Sequence, residues 1–141
     1  HAAEAGKVIC ADGNASATIL SPRETSYSNL NDWSVILEVK VGEKSFLFTG
    51  DASTNVIEKA CTHHVDVLKV GHHGSKTSTD EKLVSQLSPS YAIISVGKRN
   101  SYGHPSSEAL SALSSVPHLY RTDLQGTITI DCDGSSLARA A

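Results

Sequence analysis

The stretch Val65-Asp66-Val67-Leu68-Lys69-Val70-Gly71-His72-His73-Gly74-Ser75 decides how this chain is read. An apolar run of strand length ends in a glycine and then in two imidazoles, the pattern of a buried strand that delivers ligand-type side chains at its carboxyl end. Earlier in the chain Phe46-Leu47-Phe48-Thr49-Gly50-Asp51 does the same with a carboxylate. Two such strands side by side bring Asp51 and the His72/His73 pair to one sheet edge, which makes a plausible half of a metal site.

Outward from these strands the pattern is β-rich, then alternating, then β-rich again. Val8 to Cys10 and Ala17 to Leu20 are β-like runs joined over Asp12-Gly13-Asn14, a sequence suited to a tight hairpin. Ser21 to Asp32 is polar and reads as a loop. Ser34 to Val41 alternates in the manner of a half-buried strand and pairs with Ser45 to Thr49 across Gly42-Glu43-Lys44. After Asp51, Asn55-x-x-Glu58 offers a capping box for a short helix with Val56, Ile57, Ala60 and Cys61 on its apolar face. Ser78-x-x-Glu81 offers a second, with Leu83, Val84 and Leu87 on one side. Tyr91 to Val96 is an uninterrupted apolar strand, as expected where both faces are covered. Pro105 and Glu108 suit the start of a third helix through Leu113. Leu119 to Arg121, Thr127 to Asp131 and Ser136 to Ala138 complete the β pieces, the last two joined over Cys132-Asp133-Gly134. The fold class is therefore α/β with a mixed sheet, in a single unit spanning residues 1–141.

Composition narrows the function. A chain of 141 residues is long enough to bury a core without staples. No run approaches the roughly 18 apolar residues of a membrane span, so this segment makes no membrane contact of its own. A net charge of −3 gives no global footprint for nucleic acid, although a local basic patch is compatible with it. The three cysteines, Cys10, Cys61 and Cys132, form no C-x-x-C pair, which argues against a zinc knuckle or redox motif and favours small buried hydrophobes.

In an open sheet flanked by helices, ligands gather at the carboxyl ends of the strands. Asp51, His72, His73 and His104 all follow predicted strands. A carboxylate and neutral imidazoles are the usual protein ligands of Zn²⁺ or Mn²⁺, and an Asp with two oxygens can bridge a metal pair. Each residue also has a plainer role open to it. Asp51 can cap the following helix, His72 and His73 can bond to loop backbone, and His104 sits in a turn-like Tyr102-Gly103-His104-Pro105. An anion module built from the Gly71 to Ser75 loop and the Ser78-capped helix is a further, metal-free reading.

Taken in order, Asn31-Asp32-Trp33-Ser34-Val35-Ile36-Leu37, Phe46 to Asp51, Asp66 to Ser75, Ile94-Ser95-Val96-Gly97 with Asn100 to Pro105, and Arg121-Thr122-Asp123 with Gly126 form one motif set. The set resembles the C-terminal half of a metallo-β-lactamase-fold domain, in particular that of the ComEC-type bacterial competence membrane proteins and their freestanding relatives. The resemblance runs from about Val8 to Asp131. It implies the C-terminal half of an αββα sandwich and, in the complete domain, a two-metal site of Zn or Mn with hydrolysis of a phosphodiester in DNA during competence and DNA uptake. By the same resemblance Asp51 is the bridging aspartate and a catalytic residue, and the His72/His73 pair is the last metal-binding motif. His72 is preferred as ligand and His73 as the catalytic group beside the substrate phosphate. Gly74, Ser75, His104 and Lys69 line the substrate, with the backbone N–H groups of Gly74 and Ser75 turned to it. Lys98 and Arg99 are further candidates for phosphate contacts, and Asn31 and Ser34 fix loop geometry. In a ComEC-like parent the domain lies on the extracytoplasmic face of the bacterial membrane.

The departures matter as much. The defining His-x-His-x-Asp-His motif is absent; His1 is followed next by His63. Two or three ligands hold Zn²⁺ weakly, since stable sites take three or four. The chain alone is therefore expected to be inactive. It reads either as a fragment of a complete hydrolase domain or as a natural half-domain acting as a DNA-binding or self-associating module. Both readings predict that the apolar sheet face is covered by the missing N-terminal half or by a second copy.

Overall fold

The computed structural model describes residues 2–140 and is built on one seven-stranded mixed sheet. The strands lie side by side in chain order: β1 (Val8–Asp12), β2 (Ala15–Ser21), β3 (Ile36–Val41), β4 (Lys44–Phe48), β5 (Val67–Lys69), β6 (Tyr91–Ile94) and β7 (His118–Arg121). Pairing is antiparallel from β1 to β4 and parallel from β4 to β7. The connections explain the change. Tight turns at Gly13-Asn14 and Gly42-Glu43 and a longer loop over 22–35 return the chain antiparallel, whereas each parallel step needs a crossover. Those crossovers carry α1 (Thr54–Ala60), α2 (Glu81–Leu87) and α3 (Ser107–Ala112). A one-turn α4 (Thr122–Gln125) follows β7, and a separate hairpin, β8 (Ile130–Cys132) with β9 (Leu137–Arg139), is the last element. None of the described helices is long and apolar enough to cross a membrane.

The mixed α/β class read from the sequence is the one observed. All three crossover helices pack on one sheet face. Val56, Ile57, Ala60 and Cys61 of the α1 segment and Leu83, Val84 and Leu87 of α2 share a buried cluster with Ile36, Leu47, Leu68, Ala92 and Ile94 from the strands. Burying each large aliphatic side chain contributes roughly 1.5–3 kcal/mol, so this layer is where the fold gains most of its stability. Of the cysteines, Cys61 is buried as expected, but Cys10 is exposed and Cys132 half-buried; all three are free thiols. Burial pushes the Cys61 thiol above its ordinary value.

The opposite face carries no helix. The strand register sets Ile19, Leu37, Phe48, Lys69, Ile93 and Tyr120 in one row and Ala17, Val39, Phe46, Val67, Tyr91 and His118 in the next. The β8–β9 hairpin lies over part of this face: Tyr91 Oη donates to Leu137 O at 3.3 Å, and the Arg139 guanidinium sits 4.9 Å from the Tyr120 ring centroid. Its turn reaches the β3–β4 turn, where Glu43 N donates to Gly134 O at 2.7 Å. Gly42 permits that contact, because a Cβ there would lie 2.5 Å from Gly134 O. Away from the hairpin, Val35 and Phe48 remain 45% and 43% exposed, so the apolar face is only partly covered.

Helix starts differ from the sequence reading. The N-cap of α1 is Ser53 rather than Asn55, and its N–H donates to Asp32 Oδ1 at 2.8 Å. The N-cap of α2 is Asp80 rather than Ser78, its carboxylate accepting from Leu83 N at 2.8 Å. Pro105 precedes the cap of α3, which is Ser106. In each case several hydroxyl or carboxylate residues crowd the helix start, and contacts from elsewhere in the fold select among them.

Candidate functional site

The parallel half of the sheet brings the ends of β4, β5 and β6 together, and with them the loops that carry Asp51, His72, His73 and His104. Thr49 fastens the first two strand ends, its buried hydroxyl donating to Lys69 O at 3.3 Å. Asp51 is half-buried. Its N–H donates to Ser34 Oγ at 3.0 Å, which gives Ser34 the loop-fixing role read from the sequence. With Ser53 as the N-cap, Asp51 is not engaged in capping α1.

The chain leaves β5 through a one-turn 3-10 segment, Gly71–Gly74, in which His72 (φ 45°, ψ 45°) and His73 (φ 56°, ψ 24°) both adopt left-handed backbone. Two consecutive non-glycine residues in that region are uncommon and strained, a condition that clusters at functional sites. The two rings stand edge to face with centroids 6.4 Å apart. His73 is exposed and its Nδ1 lies 2.7 Å from Ser95 O. Because a carbonyl can only accept, Nδ1 carries the proton and Nε2 is left as the open nitrogen. His72 is half-buried beside His104, with ring centroids 5.6 Å apart. Nδ1 of His72 and Nδ1 of His104 are both buried without a hydrogen-bond partner among the described residues.

His104 is positioned by a residue that sequence reasoning assigned no role. Asn100 Oδ1 accepts from His104 N at 2.9 Å, and Asn100 Nδ2 donates to His104 O at 2.7 Å. The signal was the Asn100-Ser101-Tyr102-Gly103-His104 spacing, in which an Asn can close a tight loop on itself. Gly74 supports the same corner. It has φ +84°, a Cβ there would lie 2.6 Å from Pro105 Cβ, and its carbonyl accepts from Ser106 N at 2.9 Å. Lys69 projects on the helix-free face; burial pushes its ammonium below the ordinary lysine value, and the Asp51 charge opposes that shift.

Two sequence-stated roles change. Ser75 is buried and its N–H donates to His72 O at 3.0 Å, so that N–H is not free for a substrate, while its hydroxyl pairs with Thr77 Oγ1. The metal-free anion reading loses its donors in the same way. His72 N is bound to Gly50 O, and the α2 N-cap is a carboxylate that would repel an anion. Gly74 is buried, while Lys98 and Arg99 stand exposed on the loop leading to His104.

Among the described residues no three His, Cys, Asp or Glu side chains are grouped so that they would hold a metal ion. Asp51 and the imidazoles have the right donor chemistry, and two buried orphan nitrogens point to something absent. They are not drawn close enough together to supply the three or four ligands of a stable zinc site.

Fold and site together define a mixed α/β protein with a carboxylate and three imidazoles at the carboxyl ends of neighbouring parallel strands. The chain is similar to proteins of bacterial competence. It is 41% identical over 115 residues to the ComE operon protein 3 of Bacillus subtilis, a match covering 78% of this chain and 15% of that protein. It is 40% identical over 111 residues to Recombination protein 2 of Haemophilus influenzae, covering 77% and 14%. To Competence protein ComA of Neisseria gonorrhoeae it is 34% identical over 115 residues, covering 77% and 17%. No protein-family model matches the chain. The chain is thus a homologue of one segment of competence-related proteins and spans only a small part of their length.

Proposed function

We propose that this chain is the carboxyl-terminal half of a metal-dependent hydrolase domain of the metallo-β-lactamase type, within a longer protein that handles DNA during uptake, outside the cytoplasmic membrane. One observation carries this reading: Asp51, His72, His73 and His104 stand on successive loops at the ends of β4, β5 and β6, two of them with buried nitrogens that nothing among the described residues satisfies. The names of the relatives support the DNA-uptake setting.

In the completed site Asp51 and His72 are ligands, and the chemistry supplied there by Zn or Mn is charge stabilisation and activation of water. The chain's own residues do the rest. Ser34 holds the Asp51 loop by its N–H. Ser95 O fixes His73 in the tautomer whose Nε2 accepts a proton. Asn100 holds His104 against His72, at the edge where a phosphodiester oxygen enters. Lys69, close enough to Asp51 to feel its charge, offers a cation to the phosphate. The remaining ligands come from the rest of the domain, seated on the helix-free face around Val35, Leu37 and Phe48.

The test compares this chain with a version extended by the segment its gene encodes just before His1. Metal content by mass spectrometry and cleavage of DNA are measured in both. Bound metal and cleavage in the extended form alone are the expected result; no metal in either form rejects the reading. Dimerisation of the short chain, abolished by Phe48→Lys, together with an inactive extended form favours the second reading, a self-associating half-domain. That reading rests on the same exposed apolar face.

A further inference from the structure

We propose that Tyr102, on the same loop as Lys98 and Arg99, is a stacking platform for an unpaired nucleobase, so that the His72–His104 edge takes single-stranded rather than duplex DNA. This rests on the DNA-handling reading above and names the form of strand that the site accepts.

Tyr102 is 82% exposed. A single exposed aromatic is ordinary, but this one is held in place. Asn100 closes the loop from Gly97 to His104, donating from Nδ2 to Gly97 O at 3.2 Å and to His104 O at 2.7 Å while accepting from His104 N. The Tyr102 ring lies 17° from parallel to His104, with centroids 6.3 Å apart, and His104 in turn lies 5.6 Å from His72. A line of rings therefore leads from solvent to the strand-end cluster, with its outermost member presented to solvent. Fixing the loop in advance removes ordering entropy that a ligand would otherwise have to overcome.

Two cations on the same loop stand apart from the paired ones. Arg121 is forked onto Asp123 at 3.1 and 2.7 Å, and Lys76 reaches Glu108 at 3.4 Å. Lys98 and Arg99 are exposed and have no ion-pair partner among the described residues. In a chain of net charge −3, two unpaired cations on the same loop as an exposed ring form a local exception that suits a phosphate backbone. An aromatic face with adjoining cations is the chemistry by which single strands are bound without sequence readout. In a duplex the base faces are already stacked and hidden, so the ring discriminates by strandedness.

The experiment is fluorescence anisotropy of the chain with labelled oligothymidylate, an abasic strand of the same phosphate number, and a duplex, each at two salt concentrations. The expected result is binding of the base-bearing strand about tenfold tighter than of the abasic one, with the duplex no better than abasic. Tyr102→Ala abolishes that difference and Tyr102→Phe keeps it, while Lys98→Ala and Arg99→Ala weaken base-bearing and abasic strands alike and flatten the salt dependence. Equal binding of base-bearing and abasic strands, or an unchanged preference in Tyr102→Ala, overturns the platform and leaves the DNA reading standing. Absence of binding to any strand overturns both.

Discussion

The imidazoles of His72 and His104 meet edge to face, with ring centroids 5.6 Å apart and 66° between their planes, and the Nδ1 atom of each is buried without a partner among the described residues. A buried polar atom left unpaired costs about 1–3 kcal/mol. The pair is therefore maintained at the expense of stability, as residues kept for chemistry often are. His104→Leu fills the same space without the orphan nitrogen, and it is expected to raise the unfolding free energy by about 1 kcal/mol. Urea titration measures this, and a clear loss of stability would show that the imidazole serves the fold instead.

Gly74 fixes the corner on which that pair depends. Its φ of +84° is a conformation that side chains rarely adopt, and a methyl group would lie 2.6 Å from Pro105 Cβ and 3.1 Å from Pro105 Cα. Gly74→Ala is expected to cost about 2 kcal/mol or more, from backbone strain plus the clash. Gly97 is the control: its φ is not positive and nothing lies within 4 Å of the added Cβ. Gly97→Ala is expected to be neutral or slightly stabilising. Similar melting temperatures for both variants would contradict the account.

The sequence made the strand ends legible because chemistry and pattern coincide there. The Thr49-Gly50-Asp51 and Gly71-His72-His73 transitions mark where apolar runs stop, and both sit at the ends of neighbouring parallel strands. Helix faces were equally legible, since Val56, Ile57, Ala60 and Cys61 can be buried together only at helical spacing. Caps were not, because Ser53 and Asn55, or Ser78 and Asp80, are chemically equivalent until distant residues intervene, as Asp32 does at Ser53. The left-handed backbone of His72 and His73 had no glycine to announce it. The clamp of Asn100 on His104 and the β8–β9 hairpin over the open face depend on tertiary approach, which periodicity does not encode.

Asp66 predicts a response to acid. Burial opposes its ionisation, but Ser45 N–H at 2.9 Å, Lys44 at 3.4 Å and the Ser45 hydroxyl at 3.2 Å outweigh burial and hold the carboxyl below the usual aspartate value. A carboxyl depressed in the fold contributes its stability in full above the unfolded value of about 3.9 and loses it as pH falls through the lower folded value. Asp66→Asn is therefore expected to lower stability at neutral pH by about 1–3 kcal/mol. It also reduces the further loss on acidification below about pH 4. Urea midpoints across that range check both, and parallel acid curves for the two proteins would rule out Asp66 as a source.

Glu38 is a carboxylate on the helix-covered face, with a side chain only 7% exposed, and His63 Nε2 meets it at 2.6 Å while Lys40 Nζ stands 3.5 Å away. A carboxylate in that position is tolerated only while it is paired. The His63 side chain is 49% exposed, so solvent screens part of the interaction and replaces some of it when the ring is removed. His63→Ala is accordingly expected to cost about 1 kcal/mol, less than breaking a fully buried pair. Removing the charge changes the outcome: in a Glu38→Gln background the buried group no longer carries a charge that must be hydrogen-bonded, and the same His63→Ala change should cost much less. A double-mutant cycle at neutral pH reads the difference directly. Strict additivity would mean that His63 acts through its packing beside Cys61, whose Sγ lies 3.8 Å from Nε2, and not through the carboxylate.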